Sequence, residues 1–130
     1  MEQAFTITKR AVPEENGVTF LDNAFIKNFL LGAFLLLLAG WGMLIYFIHP
    51  RETPLILHYN VYFGVDLLGA WWQAYVLQGV ATVLFVLHTA LGYSFYQKKD
   101  RFAAYILLLA TNFILFGVAV ASASIAFINY

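Results

Sequence analysis

Three long apolar runs, separated by two polar breaks, constrain this chain more than anything else in it. They cover residues 29–48, 74–96 and 102–128, and none contains Asp, Glu, Lys or Arg. A helix of about 20 apolar residues is about 30 Å long, which matches the hydrocarbon core of a bilayer. The pattern predicts an all-α integral membrane protein with three transmembrane helices near those bounds. Composition agrees. The chain is 62% hydrophobic and 11% charged, against about 25% charge in an ordinary soluble domain. Three helices cannot bury so much apolar surface among themselves, so most of it is expected to face lipid or neighbouring helices.

Several function classes are excluded at this level. The 130 residues suffice for one domain, and the formal net charge is zero, so no basic surface points to nucleic acid. The absence of cysteine excludes disulfides, thiolate metal sites, iron–sulfur clusters and thiol catalysis. The first run reads as a retained helix. It is too long for a signal-peptide core and ends at His49-Pro50-Arg51 without a small-residue cleavage pattern.

Residues 1–28 form a polar segment of mixed charge. Residues 5–8 alternate like a short strand that could pair with Val18-Thr19-Phe20 across the turn-forming stretch 13–17. A mostly flexible tail is the simpler expectation. Asp22 or Asn23 is placed to cap helix 1, and Pro50 and Pro54 stop it. Residues 49–73 make the one substantial loop. Within it, residues 55–63 are β-branched and aromatic and carry no formal charge besides a His58 proton. Alternation puts Leu55, Leu57, Tyr59, Val61 and Phe63 on one face and Ile56, His58, Asn60 and Tyr62 on the other. Gly64 and Asp66 read as the turn that follows. This β-like loop is expected to lie along the membrane surface or over the helix ends. Trp71-Trp72 marks the entry of helix 2.

The link Gln97-Lys98-Lys99-Asp100-Arg101 is so short that helices 2 and 3 must form an antiparallel hairpin. Tyr93, Tyr96, Phe102 and Tyr105 form an aromatic belt around it. Orientation follows from the placement of basic residues. Lys98, Lys99 and Arg101 lie in the link and Lys9, Arg10 and Lys27 in the N-terminal segment, whereas the long loop holds only Arg51. The rule puts the N-terminus and the link in the cytoplasm, and the loop and C-terminus outside the inner membrane.

His88 is the only ionisable side chain, tyrosines apart, deep in an apolar run. It lies about 12 Å from the inner end of helix 2, and Asn112 lies at a similar depth on helix 3, so a His88–Asn112 contact is expected. Gln78, Thr82 and Thr89 share one side of helix 2. A hydrogen-bonded packing latch is the main reading of His88; an axial ligand to haem or a chlorin is the sharper alternative. Small residues at Gly117 and Ala121, Ala119 and Ala123, and Ser122 and Ala126 make helix 3 the candidate for the most buried helix, and helix 1 carries Ala39-Gly40-Trp41-Gly42. In the loop, His49, Glu52, His58, Asn60 and Asp66 match no metal-site spacing. A hydrogen-bonded loop bracing the helix ends is the expectation, with no metal and no bound cofactor. No nucleophile–base pair and no phosphate-binding loop is present, so the chain is expected to be no enzyme.

The stretch 57–66, Leu-His-Tyr-Asn-Val-Tyr-Phe-Gly-Val-Asp, lies between the first two membrane helices and carries two resemblances. From helix 1 to helix 3 the chain resembles uncharacterised small three-helix membrane proteins of candidate-phyla bacteria. They share the Pro, the apolar-His-Tyr-Asn run, Gly-x-Asp, the aromatic pair and a hairpin with a basic link. Over about 20 residues the loop also resembles the uncharacterised domain of SdpI-type bacteriocin-immunity membrane proteins. His58, Asn60 and Asp66 match its spacing, and Gly64 sits one place later than in that pattern. Both resemblances imply that the loop is the characteristic part.

The sequence therefore predicts a non-enzymatic accessory, assembly or partner-binding subunit. Its partners would be the bilayer and other membrane-protein subunits or further copies of itself. His58, Asn60, Tyr62 and Asp66 would be the contact residues of the loop. The alternatives are a haem- or chlorin-binding electron-transfer subunit acting through His88 and an oligomeric transporter or channel component resting on the Gln78, Thr82 and Thr89 stripe.

Overall fold

The computed structural model describes residues 17–130. Residues 5–8, and with them the N-terminal strand pairing, fall outside that range. Three helices dominate: α1 (Ala24–Phe47), α2 (Val76–Gln97) and α3 (Arg101–Ile128). Each is long and apolar enough to cross a membrane. Short 3-10 turns precede α1 (Phe20–Asp22) and α2 (Trp71–Tyr75). Phe20, part of the expected Val18-Thr19-Phe20 strand, instead opens the first of these turns.

The helix ends have local causes. Asn23 caps α1, its Oδ1 accepting from the backbone N–H groups of Phe25 and Ile26 at 3.0 and 3.3 Å. α1 thus begins five residues before its apolar run, since a cap and a first turn do not need apolar side chains. Lys99 ends α2 in the left-handed region, with φ 64°. Its N–H donates to the Tyr96 carbonyl and that of Asp100 to the Phe95 carbonyl, both at 3.0 Å, the paired bonds of a Schellman ending. One residue later the Asp100 carboxylate accepts from Ala103 N–H at 3.1 Å and starts α3. Five residues thereby reverse the chain.

α3 packs against both other helices, while α1 and α2 meet each other much less. The buried side chains form three layers along the bundle. At the end nearer the 98–100 link, Phe20, Ile26, Tyr96, Ala104 and Leu108 pack together. Ala33, Leu37, Ala81 and Leu115 fill the middle. At the other end Leu44, Ile48, Leu55 and Ala74 close the core, with Leu57, Trp71, Tyr75 and Ile125 against them. Of the small residues singled out in α3, Ser122 and Ala126 lie in the interface, and space around Gly117 is open. In α1, Gly40 makes the close approach and Gly42 faces open space.

The long loop differs from the single amphipathic strand the alternation suggested. It is an antiparallel hairpin of β1 (Leu55–Asn60) and β2 (Gly64–Gly69). Asp66 lies within β2, and the turn is Val61, Tyr62 and Phe63, entered from Asn60 and left through Gly64 at φ +77°. Register runs from Leu55 opposite Gly69 to Asn60 opposite Gly64, with irregularities on either side of His58. These bulges break the period-two pattern, so the two-faced reading of residues 55–63 fails beyond Leu57. Leu55 and Leu57 pack onto the bundle, whereas Tyr59 is exposed.

Candidate functional site

Each polar residue of the loop signature has a partner within the hairpin. Asn60 Oδ1 accepts from Tyr62 N–H at 2.8 Å, an Asx-type bond that shapes the turn. His58 Nδ1 and Asp66 Oδ1 lie 2.6 Å apart across the strands, with both side chains well exposed. Gly64 supplies the positive φ that lets the chain return. His58, Asn60 and Asp66 therefore build the hairpin. What the hairpin displays is its tip: Val61, Tyr62 and Phe63 are 85, 90 and 84% exposed. Three adjacent apolar side chains held almost free of the rest of the chain form the most prominent unpartnered feature of this end of the molecule. Leu67 and Leu68 extend it along β2.

Asn129, which carried no expectation, fixes the hairpin to the bundle. Its side-chain amide accepts from Ile56 N–H at 2.8 Å and donates to Ile56 C=O at 2.7 Å. It thus pairs with β1 as a neighbouring strand would. Arg51 donates in turn to the Asn129 side-chain oxygen at 3.2 Å. Tyr75 donates to the Ile48 carbonyl at 2.7 Å and closes the end of α1. Of the loop residues singled out, His58 and Asp66 meet; no group of three His, Cys, Asp or Glu side chains converges among the described residues.

Inside the bundle, the polar side chains latch helices together. Gln78 is buried; it donates to the Leu37 carbonyl at 3.1 Å and accepts from Ser122 Oγ at 3.2 Å, so one side chain joins all three helices. Gly40 makes room for it: a Cβ there would stand 2.5 Å from Gln78 Oε1. Thr82 accepts from Trp41 Nε1 at 3.1 Å, and Thr89 donates to its own helix at Phe85. The stripe of Gln78, Thr82 and Thr89 is thus engaged in packing and helix bonds.

The expected His88–Asn112 pairing is corrected. His88 Nδ1 lies 2.8 Å from Thr111 Oγ1. Asn112 donates to the carbonyls of Phe29, at 3.0 Å, and Leu108, at 2.9 Å. Depth was matched, but successive residues on a helix point about 100° apart; Thr111 faces α2 and Asn112 faces α1. At the far end, Asn23 Nδ2 donates to Tyr105 Oη at 2.8 Å, and Tyr96 Oη donates to the Val18 carbonyl at 2.8 Å. No buried side-chain polar atom lacks a partner among the described residues.

Comparison with known proteins finds no matching family model, no similar curated protein and no similar solved structure.

Proposed function

We propose that the chain is a non-enzymatic, multi-pass protein of the bacterial inner membrane that binds another membrane-protein subunit through its β-hairpin. The observation that carries this reading is the tip of Val61, Tyr62 and Phe63, fully displayed on a hairpin whose polar residues hold its shape. An isolated two-stranded sheet is marginal in water, and apolar side chains gathered at its tip favour a covered state. Aromatic anchors of this kind dominate the energetics of protein interfaces. Basic residues support the orientation: Lys98, Lys99 and Arg101 sit at one end of the bundle and Arg51 at the hairpin end. The hairpin is then extracytoplasmic and the N-terminus cytoplasmic.

A photo-crosslinking residue in place of Tyr62, activated in native membranes, tests the reading. The expected product is one discrete protein adduct, lost when Val61 and Phe63 are changed to Ser. Adducts to lipid alone, with a strictly monomeric particle in mild detergent, would overturn it.

A further inference from the structure

The end of the bundle that carries the 98–100 link also carries an open cleft with two walls. One wall is the last turns of α2; the other is the segment that leads into α1. Two contacts fix the second wall. Tyr96 Oη donates to the Val18 carbonyl at 2.8 Å, and the Phe20 ring stands edge-on to Tyr93 and Tyr96, with centroids 5.5 Å away in each case. The cleft has a volume of about 510 Å³, and Lys99, Arg101, Tyr93 and Gln97 reach into its lining. Neither cation forms an ion pair among the described residues; the Arg101 guanidinium lies 5.3 Å from the centre of the Tyr96 ring. Asp22 accepts from Thr19 Oγ1 and Asp100 from Ala103 N–H, and neither carboxylate lines the cleft. The Gln97 amide and the Tyr93 hydroxyl are bonded to each other at 2.6 Å. That bond uses one of their donor hydrogens, so further donors remain whichever way the amide is turned. Past Phe20, Leu21 and Tyr93 the cleft runs into an apolar groove of about 420 Å³, continued by Phe85, Val86, Thr89 and Ala90. The Thr89 hydroxyl is turned onto its own helix, at the Phe85 carbonyl. From Tyr93 to Phe85 the groove follows α2 for about 12 Å.

We propose that the cleft and groove together hold one anionic phospholipid, with its phosphate between Lys99 and Arg101 and one acyl chain along Phe85, Val86 and Ala90. This rests on the membrane placement given above, and not on the hairpin's partner. Two cations without a countercharge call for an anion, and basic residues at the end of a membrane helix attract anionic headgroups. The groove that continues from them admits only an apolar chain. A free phosphate would meet the cations and leave the groove uncovered. A zwitterionic lipid would fill the groove but bring its own cation to Lys99 and Arg101. A lipid with a net negative headgroup satisfies both parts, and Tyr93 and Tyr96 stand at the interface level between them.

The test places the purified full chain, one copy per disc, in phosphatidylcholine nanodiscs doped with phosphatidylglycerol that carries a photoreactive acyl chain. Single occupancy keeps a second copy out of the groove. Peptide mapping after irradiation should put the adduct on residues 85–90 or on Leu21. A Lys99→Gln, Arg101→Gln double variant should lower the yield roughly fivefold. Ala90→Trp, at an exposed position, should lower it as much by filling the groove. Lys98→Gln, outside the lining, should lower it less than twofold. Photoreactive phosphatidylcholine should label all three helices evenly, and equally in the double variant. Equimolar soluble glycerophosphoglycerol should not displace the lipid, since it has no chain for the groove. Circular dichroism of each variant reports whether the helices persist. Phosphatidylglycerol labelling spread evenly over the helices, labelling that survives both the double change and Ala90→Trp, or displacement by the soluble headgroup overturns the site alone. A chain that fails to enter the discs overturns the membrane placement and the site with it.

Discussion

At the scale of single residues, buried amides decide more than the apolar majority. Between helices in lipid, attraction comes from close packing and hydrogen bonds, since lipid tails are as apolar as the side chains they would replace. Gln78 combines both effects because Gly40 lets the backbone of α1 approach it. Gly40→Ala forces a methyl group into the Gln78 amide and should lower bundle stability by about 1–3 kcal/mol; unfolding in mixed micelles measures it. Gln78→Leu removes bonds to Leu37 and Ser122 and should cost about 1–2 kcal/mol in the same assay. The sequence made Gln78 visible as a polar residue in an apolar run, and His88 and Asn112 likewise. Partners were another matter. Whether His88 meets Thr111 or Asn112 depends on helix rotation, and these neighbours on α3 are equally close to it in sequence terms. Ser122 was noticed only as a small residue, although its hydroxyl is what Gln78 uses.

At the scale of elements, the link and the hairpin show two degrees of legibility. The 97–101 link was readable because five residues between long helices permit little besides reversal. The hairpin was half readable. Its β character and the His, Asn, Gly and Asp positions stood out, but a turn at Gly64 and Asp66 was expected where the chain turns at Val61, Tyr62 and Phe63. Asn60 initiates that turn and Gly64 ends it, so the punctuating residues flank the turn. Asn129 was invisible because a residue beyond an apolar run reads as simple termination. Its bonds to Ile56 predict a specific outcome: Asn129→Ala should speed amide exchange across β1 and leave exchange in the middle of α3 unchanged. Gly64→Val should loosen the tip more strongly, because a β-branched residue at φ +77° is strained.

At the scale of the whole molecule, orientation is the first quantity to fix. The chain has no cysteine, so each introduced thiol reports alone. With intact spheroplasts, a membrane-impermeant maleimide should label Tyr62→Cys and leave Lys98→Cys unlabelled until the membrane is opened; the reverse pattern would invert the proposed topology. The packing order also bears on biogenesis. α3 is the helix that contacts both others extensively, and it is the last to be made. In the proposed membrane topology α1 and α2 would enter the bilayer with few mutual contacts, and the bonds of Gln78 Oε1 to Ser122 and of Asn23 Nδ2 to Tyr105 would form only once α3 follows. A two-helix stage of that kind would leave part of the hydrogen-bonding capacity of Gln78 and Asn23 unmatched, and is where an insertion chaperone or a membrane protease would have the longest time to act.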